Sequence, residues 1–350
     1  MTIDKSTLRM VDANLNRSAE GLRVIEDIAR LALDRSLLSS ELKMLRHGLV
    51  QTSPGFQKEL VWSRDAAGDV GRDTQVPGET GTKDMESVVV ANARRVQESL
   101  RVLEELAKVP GMRASLDSEK FKQARFRLYA IEQELLGHLL RRDKVERLSG
   151  LYVIIDGDCL KGRSHAEVTR QAIQGGARVI QLREKTMAKR GLLPLARQLK
   201  QICSEMGALF VVNDYLDVAL DCEADGLHVG QEDLPVATAR KLLKPDQILG
   251  CSASTVEEAL AAQEAGADHV AVGSMFATST KEVNVVGTGR LAEIKRVVAL
   301  PVVAIGGINK DNLAAVISAG ADAAAVITAV IGAQDPAAAA RELVRIIEGK

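Results

Sequence analysis

The chain contains 350 residues, which exceeds the size of one ordinary domain, so two domains are expected. Its formal net charge is −1, with acidic and basic residues interspersed, and only 3% of its residues are aromatic, which argues against a polyanion-binding surface and against recognition of nucleic acid by base stacking. Because no apolar run reaches membrane-spanning length, the N-terminus lacks a signal-peptide core and the four cysteines show no metal-ligand spacing, a cytoplasmic protein without nucleic-acid or membrane partners is expected.

Residues 1–145 are expected to form an all-α domain built from a duplicated helical hairpin. Apolar residues recur with the helical period across 12–33. Residues 13–29 are repeated 78 positions later as residues 91–107, with nine of the seventeen positions identical. A Ser-Glu pair followed by Lys-x-x-Arg recurs as well, in 40–46 and in 118–125. We expect the two copies to pack about a pseudo-twofold axis.

The repeat preserves polar residues at matched places, with Asn14 and Arg17 recurring as Asn92 and Arg95. Ion pairs on a helix surface would be one explanation of the repeated charges. Such pairs contribute only roughly 0.2–0.5 kcal/mol each, which gives little reason to preserve them. A polar pocket shared by the two hairpins is the alternative that would.

The loop between the two copies, residues 64–72, contains Asp65 and Asp69 together with two glycines that permit tight turns. Two carboxylates in such a loop could bind a metal ion. The other interpretation is a solvated connector, and the residues alone leave both open.

Residues 146–350 follow a charged linker and are expected to form a (β/α)8 TIM barrel. Eight apolar strand candidates alternate with helical stretches, and short glycine-containing turns precede several of the strands. The strand candidates are residues 151–155, 178–182, 209–213, 226–229, 248–251, 269–273, 301–305 and 323–327.

Polar residues cluster after these strands, where a barrel places its active site. Arg183 and Lys185 leave the end of the second strand together, and a guanidinium and an ammonium are suited to phosphate. Asp214 and Asp233 follow the third and fourth strands and could hold Mg2+ against substrate phosphates. Helix capping by Asp214 and a turn at Asp233 are the structural alternatives. Gly306-Gly307 and the end of the eighth strand fit a phosphate cradle of backbone N–H groups, or else plain turns.

These residues resemble the thiamine-phosphate synthase family from about residue 150 to the end. The shared motifs are Gln181-Leu-Arg-Glu-Lys185, Asn213-Asp214, Gly226-Leu-His-Val-Gly-Gln-Glu-Asp233, Thr278-Ser-Thr-Lys281 and Ile305-Gly-Gly-Ile308. Thr328 stands where the family often has Ser, which retains the hydroxyl group. The resemblance implies a transferase that joins a pyrimidine methyl diphosphate to a thiazole phosphate and releases diphosphate with the help of Mg2+.

The resemblance also implies the roles of individual residues. Those expected to hold the pyrimidine diphosphate, within a motif that includes Glu184, are Gln181, Arg183, Lys185, Asn213, Ser252 and Lys281. Those expected to hold the thiazole phosphate are Thr278, Thr280, Gly307, Ile327 and Thr328, and Ser279 between the two threonines is a further substrate-binding candidate. Catalysis is expected from Arg183, Lys185, Ser252 and Lys281, and Mg2+ binding from Asp214 and Asp233.

The helical half resembles a domain that is found fused to this synthase and is regarded as an alternative hydroxymethylpyrimidine phosphate kinase. If so, its substrates are a pyrimidine monophosphate and ATP, although no Walker-type phosphate loop is present. The site candidates are then Asn14, Arg17, Asn92, Arg95, Asp65 and Asp69. A non-catalytic scaffold or dimerisation module is the alternative for this half, and a thiazole tautomerase is the alternative for the barrel. The sequence leaves the oligomeric state open, a homo-oligomer included.

Overall fold

The computed structural model describes residues 3–65, 68, 84–277 and 285–349. It divides into two compact units, Met1–Leu140 and Arg141–Lys350. The boundary expected after residue 145 lies inside the last helix of the first half, which ends at Glu146.

The first unit is helical, as the sequence predicts. A π-helical turn at Ile28–Ala32 follows its first helix. The helices are α1 (Lys5–Asp27), α2 (Ser36–Val50), α3 (Pro54–Ser63), α4 (Met85–Leu106) and α5 (Ser118–Glu146). The repeated helices α1 and α4 pack closely, because Gly21 has no side chain: an added Cβ would lie 2.6 Å from the Val96 side chain. Leu15, Leu22 and Ile25 supply part of the buried apolar face.

Each copy of the repeat contains the same cluster of one buried glutamate and two arginines. Glu26 accepts from Arg46 at 2.9 Å and lies 3.5 Å from Arg23. Glu104 pairs with Arg125 at 2.9 Å and with Arg101 at 2.8 Å. The side chains of the two glutamates are only 3% and 7% exposed. The repeated charges at these positions therefore tie the two helices of each hairpin together, which is a structural role that weak surface pairs do not have.

The second unit is a closed barrel of eight parallel strands in sequential order, so the predicted fold is confirmed. The strands are β1 (Gly150–Asp156), β2 (Val179–Arg183), β3 (Leu209–Asn213), β4 (Gly226–Val229), β5 (Ile248–Ala253), β6 (His269–Val272), β7 (Val302–Ile305) and β8 (Ala323–Val326). The inward-facing side chains form their own core, which includes Tyr152, Ile154, Leu209 and Val211. The carboxyl ends of all eight strands consequently meet at one rim.

Nine helices surround the described part of the barrel. They are α6 (His165–Gln174), α7 (Lys189–Met206), α8 (Leu216–Asp221), α9 (Val236–Leu242), α10 (Val256–Glu264), α11 (Gly287–Val297), α12 (Leu313–Ser318), α13 (Thr328–Ile331) and α14 (Pro336–Ile347). Among the described residues, none of the helices combines the length and the apolar character needed to cross a membrane.

The opposite rim, at the amino ends of the strands, is organised by three equivalent aspartates. Asp225, Asp268 and Asp322 immediately precede β4, β6 and β8. Each side chain accepts a backbone N–H from the start of the neighbouring strand before it, at 2.7–2.9 Å; the donors are Phe210 of β3, Leu249 of β5 and Val302 of β7. Each also pairs with a cation from the helix that leads into that strand, respectively Lys200 of α7, Arg240 of α9 and Lys295 of α11. The same arrangement thus closes three successive pairs of strands.

Candidate active site at the carboxyl ends of the barrel strands

The rim at the carboxyl ends brings most of the predicted site residues together. Gln181 and Arg183 lie on β2, Asn213 ends β3 and Ser252 lies near the end of β5. Since neighbouring parallel strands end side by side, residues that are distant in the chain share one mouth. Gly307, Ile327 and Thr328, which are predicted for the second phosphate, follow β7 and β8 at the same rim.

Arg183 is held by a buried acid that the sequence reasoning missed. Asp156 ends β1 directly opposite Arg183 in the strand register. Its carboxylate accepts a hydrogen bond from Nη1 of Arg183 and is only 2% exposed. The signal was available, because an acidic residue that ends an apolar strand is the same pattern that identified Asp214.

Lys185 lies in a cluster with the two predicted metal ligands. Its ammonium group donates to Asp214, and the carboxylate of Asp214 interacts with that of Asp233. Burial raises the pKa of Asp214, the neighbouring Asp233 carboxylate adds to that rise, and Lys185 opposes it. Burial works against ionisation of Asp233 too, but hydrogen bonds from Asp214 and from the Gly230 N–H keep its pKa below the usual range. The ionisation of each carboxylate therefore depends on the other.

The structural alternatives for these aspartates have different outcomes. Helix α8 is capped at Tyr215 without a side-chain hydrogen bond, so the alternative in which Asp214 caps this helix is wrong. Asp214 instead adopts a left-handed backbone (φ 63°), which is uncommon for a residue with a side chain and costs free energy. Asp233 does act within a turn, since its carboxylate accepts the Gly230 N–H at 2.8 Å.

The barrel interior below the mouth supports Gln181 and Ser252. The amide of Gln181 donates to the hydroxyl of buried Tyr152 at 2.8 Å. Ser252 lies 3.0 Å from Nε2 of the buried His228. Burial lowers the pKa of His228 to about 4, so the imidazole is neutral near pH 7.

Glu184, in the middle of the predicted motif, faces the protein. It is 5% exposed and accepts from the Thr186 hydroxyl at 3.0 Å, from the backbone N–H groups of Thr186 and Met187, and lies 3.3 Å from Nε2 of His165. These contacts fix the loop that carries Lys185.

The turn after β7 consists of two glycines, so no side chain covers its backbone there. Gly306 and Gly307 both have positive φ, at 101° and 65°. A Cβ on Gly307 would lie 2.6 Å from the carbonyl oxygen of Ala277, so no larger residue fits. Ile327 and Thr328 begin the short helix α13 next to it, after β8. Backbone N–H groups in such turns can bind phosphate oxygens.

Some predicted site residues lie outside the described residues. They are Thr278, Ser279, Thr280 and Lys281 of the barrel and Asp69 of the helical half. No cluster of three or more His, Cys, Asp or Glu side chains that could hold a metal is present in the ranges that the structure describes. The pair Asp214 and Asp233 remains compatible with Mg2+, which takes a few carboxylates and completes its shell with substrate oxygens and water.

The candidate residues of the helical half differ in their contacts and in their exposure. Asn14 and Asn92 donate to the carbonyls of Met10 and Val88 in their own helices, at 2.8 and 2.9 Å. Asp65 lies 3.8 Å from Arg9 at the surface. The two repeated arginines, Arg17 and Arg95, are both exposed.

Two family models match the chain, each within one half. Residues 151–330 match the model described as thiamine monophosphate synthase, and residues 9–134 match the ThiD2 family. The domain resemblance found in the sequence thus agrees with both matches.

Relatives of similar length carry both halves. The chain is 39% identical over 348 residues to a thiamine-phosphate synthase from a Synechococcus species, covering 97% of this chain and 96% of the relative. It is 37% identical over 337 residues to one from a Nostoc species, covering 95% and 92%.

Shorter relatives match the barrel alone. The thiamine-phosphate synthase of Moorella thermoacetica is 52% identical over 199 residues, which cover 56% of this chain and 95% of the relative. Among solved structures, thiamine phosphate pyrophosphorylase from Pyrococcus furiosus is 42% identical with a TM-score of 0.55, covering 59% of this chain and 98% of that structure. With its barrel, its rim residues and relatives along its whole length, the chain belongs to the thiamine-phosphate synthase family of transferases.

Proposed function

We propose that the barrel joins a pyrimidine methyl diphosphate to a thiazole phosphate at the rim described above. The observation that carries this proposal is the convergence of Arg183, Lys185, Asp214 and Asp233 at the ends of neighbouring strands. Two cations and a pair of hard oxygen donors together match a diphosphate that is bound with a divalent cation.

The diphosphate would lie against Arg183 and Lys185, with Lys281 as a third cation from the loop after β6. Asp214 and Asp233 would hold Mg2+, which, when bound, supplies positive charge to the diphosphate oxygens. Burial and the neighbouring Asp233 carboxylate raise the pKa of Asp214, which supports this assignment because a bound cation would favour the ionised form of both carboxylates.

The pyrimidine ring would lie deeper, against the polar groups at the top of the barrel interior. The contact between Gln181 and Tyr152 uses the amide nitrogen of Gln181 and not its amide oxygen. Asn213 and the Ser252 hydroxyl offer further donors and acceptors on neighbouring strands. Glu184 would act through the loop geometry that its carboxylate fixes.

The thiazole phosphate would bind at the other side of the mouth. Backbone N–H groups at Gly307, Ile327 and Thr328 provide donors without side-chain bulk. The hydroxyl-rich segment Thr278-Ser279-Thr280 would complete this phosphate site.

The reaction needs charge stabilisation more than a nucleophilic side chain. The bond between the pyrimidine methylene carbon and the diphosphate oxygen breaks, and its electron pair leaves with the diphosphate. The thiazole nitrogen then forms the new C–N bond with the resulting carbocation. The side chains of Arg183, Lys185 and Lys281 would stabilise the charge that grows on the departing diphosphate.

The barrel assignment is tested with alanine variants of the cations. Arg183→Ala and Lys281→Ala should each lower turnover by at least roughly 100-fold, the effect of losing one such donor. Arg178→Ala is a matched control, because Arg178 immediately precedes the same strand at the opposite rim, where it contacts Ser149. Near-wild-type turnover of both rim variants would contradict the assignment.

We further propose that the helical half phosphorylates hydroxymethylpyrimidine phosphate with ATP and so makes the diphosphate that the barrel consumes. The support is the sequence resemblance stated above and the presence of both halves in the full-length relatives. The alternative is a helical half that serves as a scaffold.

One experiment on the full chain separates these possibilities. One sample receives the pyrimidine monophosphate, ATP, thiazole phosphate and Mg2+; a second receives the pyrimidine diphosphate in place of monophosphate and ATP. Thiamine phosphate in both samples would establish both activities. Product in the second sample only would reduce the helical half to a scaffold, and product in neither would contradict the barrel assignment.

A further inference from the structure

We propose that Asp156 is a positioning residue for Arg183, and that its ion pair aims the guanidinium at the diphosphate. This inference rests on the proposed role of Arg183. It concerns a side chain on a different strand that does not itself need to touch the substrate.

The strand register creates the pair. Asp156 and Arg183 are direct partners at the carboxyl ends of β1 and β2, so their side chains lie next to each other at the barrel mouth. Tyr152 and Gln181 make a second contact between the same two strands, lower in the interior. The β1–β2 seam is thus cross-linked at two depths.

Both oxygens of the Asp156 carboxylate are occupied. Oδ1 accepts the N–H of Asp158 at 3.1 Å, and Oδ2 accepts from Nη1 of Arg183. The contact with its own loop therefore holds the carboxylate independently of the arginine. A carboxylate held in this way restricts the rotamers of its partner.

The ion pair leaves the useful edge of the guanidinium open. Within the described residues, Arg183 donates to the protein only through Nη1. The Nε and Nη2 groups remain available, and these two form one of the edges that bind phosphate oxygens in a bidentate way. The side chain of Arg183 is 25% exposed whereas that of Asp156 is 3% exposed, so the arginine faces the mouth and the acid lies behind it.

A direct role for Asp156 at the substrate fits poorly. Its buried charge would repel a diphosphate, and its oxygens already have partners. An unpaired carboxylate is costly to bury, so the arrangement requires Arg183 to stay in place. The pair therefore pre-organises the cation before the substrate binds, which reduces the cost of ordering it.

The test compares Asp156→Asn with Asp158→Asn in the full chain. Asp158 is an exposed neighbour in the same loop, and only its backbone N–H contacts Asp156. In Asp156→Asn we expect kcat/KM for the pyrimidine diphosphate to fall by roughly 10- to 100-fold, the range for losing a group that orients a functional side chain, with an unchanged KM for thiazole phosphate. Asp158→Asn should match the wild type.

A double-variant cycle distinguishes positioning from a general structural effect. Asp156→Asn should have little further effect on kcat/KM in an Arg183→Ala background, because its action requires the guanidinium. Equal losses in both backgrounds, or an equal rise in KM for both substrates together with a lowered melting temperature, would overturn the inference.

The proposed function and this inference can fail separately. A large loss in Arg183→Ala with wild-type kinetics in Asp156→Asn would overturn the inference alone. Near-wild-type kinetics in Arg183→Ala would overturn the proposed role of Arg183 and the inference with it.

Discussion

Arg183 and Lys185 leave the same strand two residues apart, yet each is held by a different acidic side chain. Arg183 is paired with Asp156 of β1, while Lys185 is paired with Asp214 after β3. The two ion pairs therefore involve three neighbouring strands. The two acids limit the mutual repulsion of the cations.

The Asp214–Asp233 pair leads to a prediction about Mg2+. Asp214→Asn and Asp233→Asn should each raise the Mg2+ concentration that gives half-maximal activity, because each removes one charged oxygen ligand. Titration of synthase activity with Mg2+ measures the shift. Asp217→Asn, which changes an exposed acid on α8 that pairs with Lys189, should leave the titration unchanged. A variant pair with the wild-type Mg2+ requirement would argue against this metal site.

His269 leads to a prediction about pH. It is fully buried on β6, and burial lowers its pKa from 6.5 to about 3. Below pH 6.5 the unfolded chain binds a proton at this residue and the folded chain does not, so stability falls on acidification, by up to about 1.4 kcal/mol per pH unit. Replacement by phenylalanine removes this dependence.

Hydrogen exchange of the barrel-strand amides between pH 7 and pH 4 would measure it, because the free energy of opening reports on the barrel alone. His269→Phe should show a shallower loss of that free energy than the wild type, whatever its absolute stability. Parallel curves for the two proteins would show that His269 is not the titrating group.

At the scale of elements, the three aspartates at the amino-end rim do one task in different surroundings. Asp268 is 1% exposed and pairs with both Arg240 and Arg141. Asp322 is partly exposed, and its one cationic partner among the described residues is Lys295. Because the cost of removing an acid depends on what it leaves uncompensated, the two sites should not be equivalent.

We therefore predict that Asp268→Ala destabilises the barrel by roughly 3–5 kcal/mol, since it leaves buried arginine charge without its partner. Asp322→Ala should cost less, roughly 1–3 kcal/mol, because water can replace the lost contacts. Chemical denaturation, with unfolding monitored by hydrogen exchange of the strand amides, would compare the free energies of unfolding of the two variants. Asp311→Ala, at an exposed loop position, should stay within about 0.5 kcal/mol of the wild type; equal costs for Asp268 and Asp322 would contradict the argument.

The helical repeat shows how an element can be predicted without the contacts of its charged residues. Its period and duplication predict two hairpins, and the structure has them. The pocket expected for the repeated polar set that includes Asn14 and Arg17 stays a prediction. The structure assigns Arg23, Glu26 and Arg46 to a buried cluster within one hairpin, and their counterparts to an equivalent cluster in the other. Contacts between residues 20 or more positions apart are not visible in a helical period.

At the scale of the whole molecule, the two proposed activities should be separable by substitution. Arg17 and Arg95 are the repeated arginines that do not belong to the buried glutamate clusters and are exposed. The double variant Arg17→Ala/Arg95→Ala should abolish formation of thiamine phosphate from the monophosphate and ATP. Formation from the pyrimidine diphosphate should be unchanged, because every proposed synthase residue lies in the barrel.

Arg94→Ala is the matched control, since Arg94 is an exposed neighbour on α4 that has no arginine counterpart in the first copy. It should retain both activities. Loss of product from both substrate sets in the double variant would show that these arginines affect the whole chain, and full retention would remove them from the candidate site.

The sequence by itself determined the barrel, its eight strands and most of the mouth residues. Strand residues buried on both faces read as apolar runs, and parallel strands must end at a common rim, so local pattern and topology suffice. The family motifs identified Gln181, Arg183 and Lys185, and each of these residues lies within a few residues of the end of β2.

Only the tertiary structure decided which side chains support them. The pairs Asp156–Arg183, His228–Ser252 and Lys185–Asp214 each join different strands or loops, and their existence depends on strand register and on rotamers. The left-handed backbone of Asp214, which caps no helix, is likewise a feature of the folded chain that its sequence does not predict. Sequence separation carries no record of these distances, because the closure of the barrel sets them.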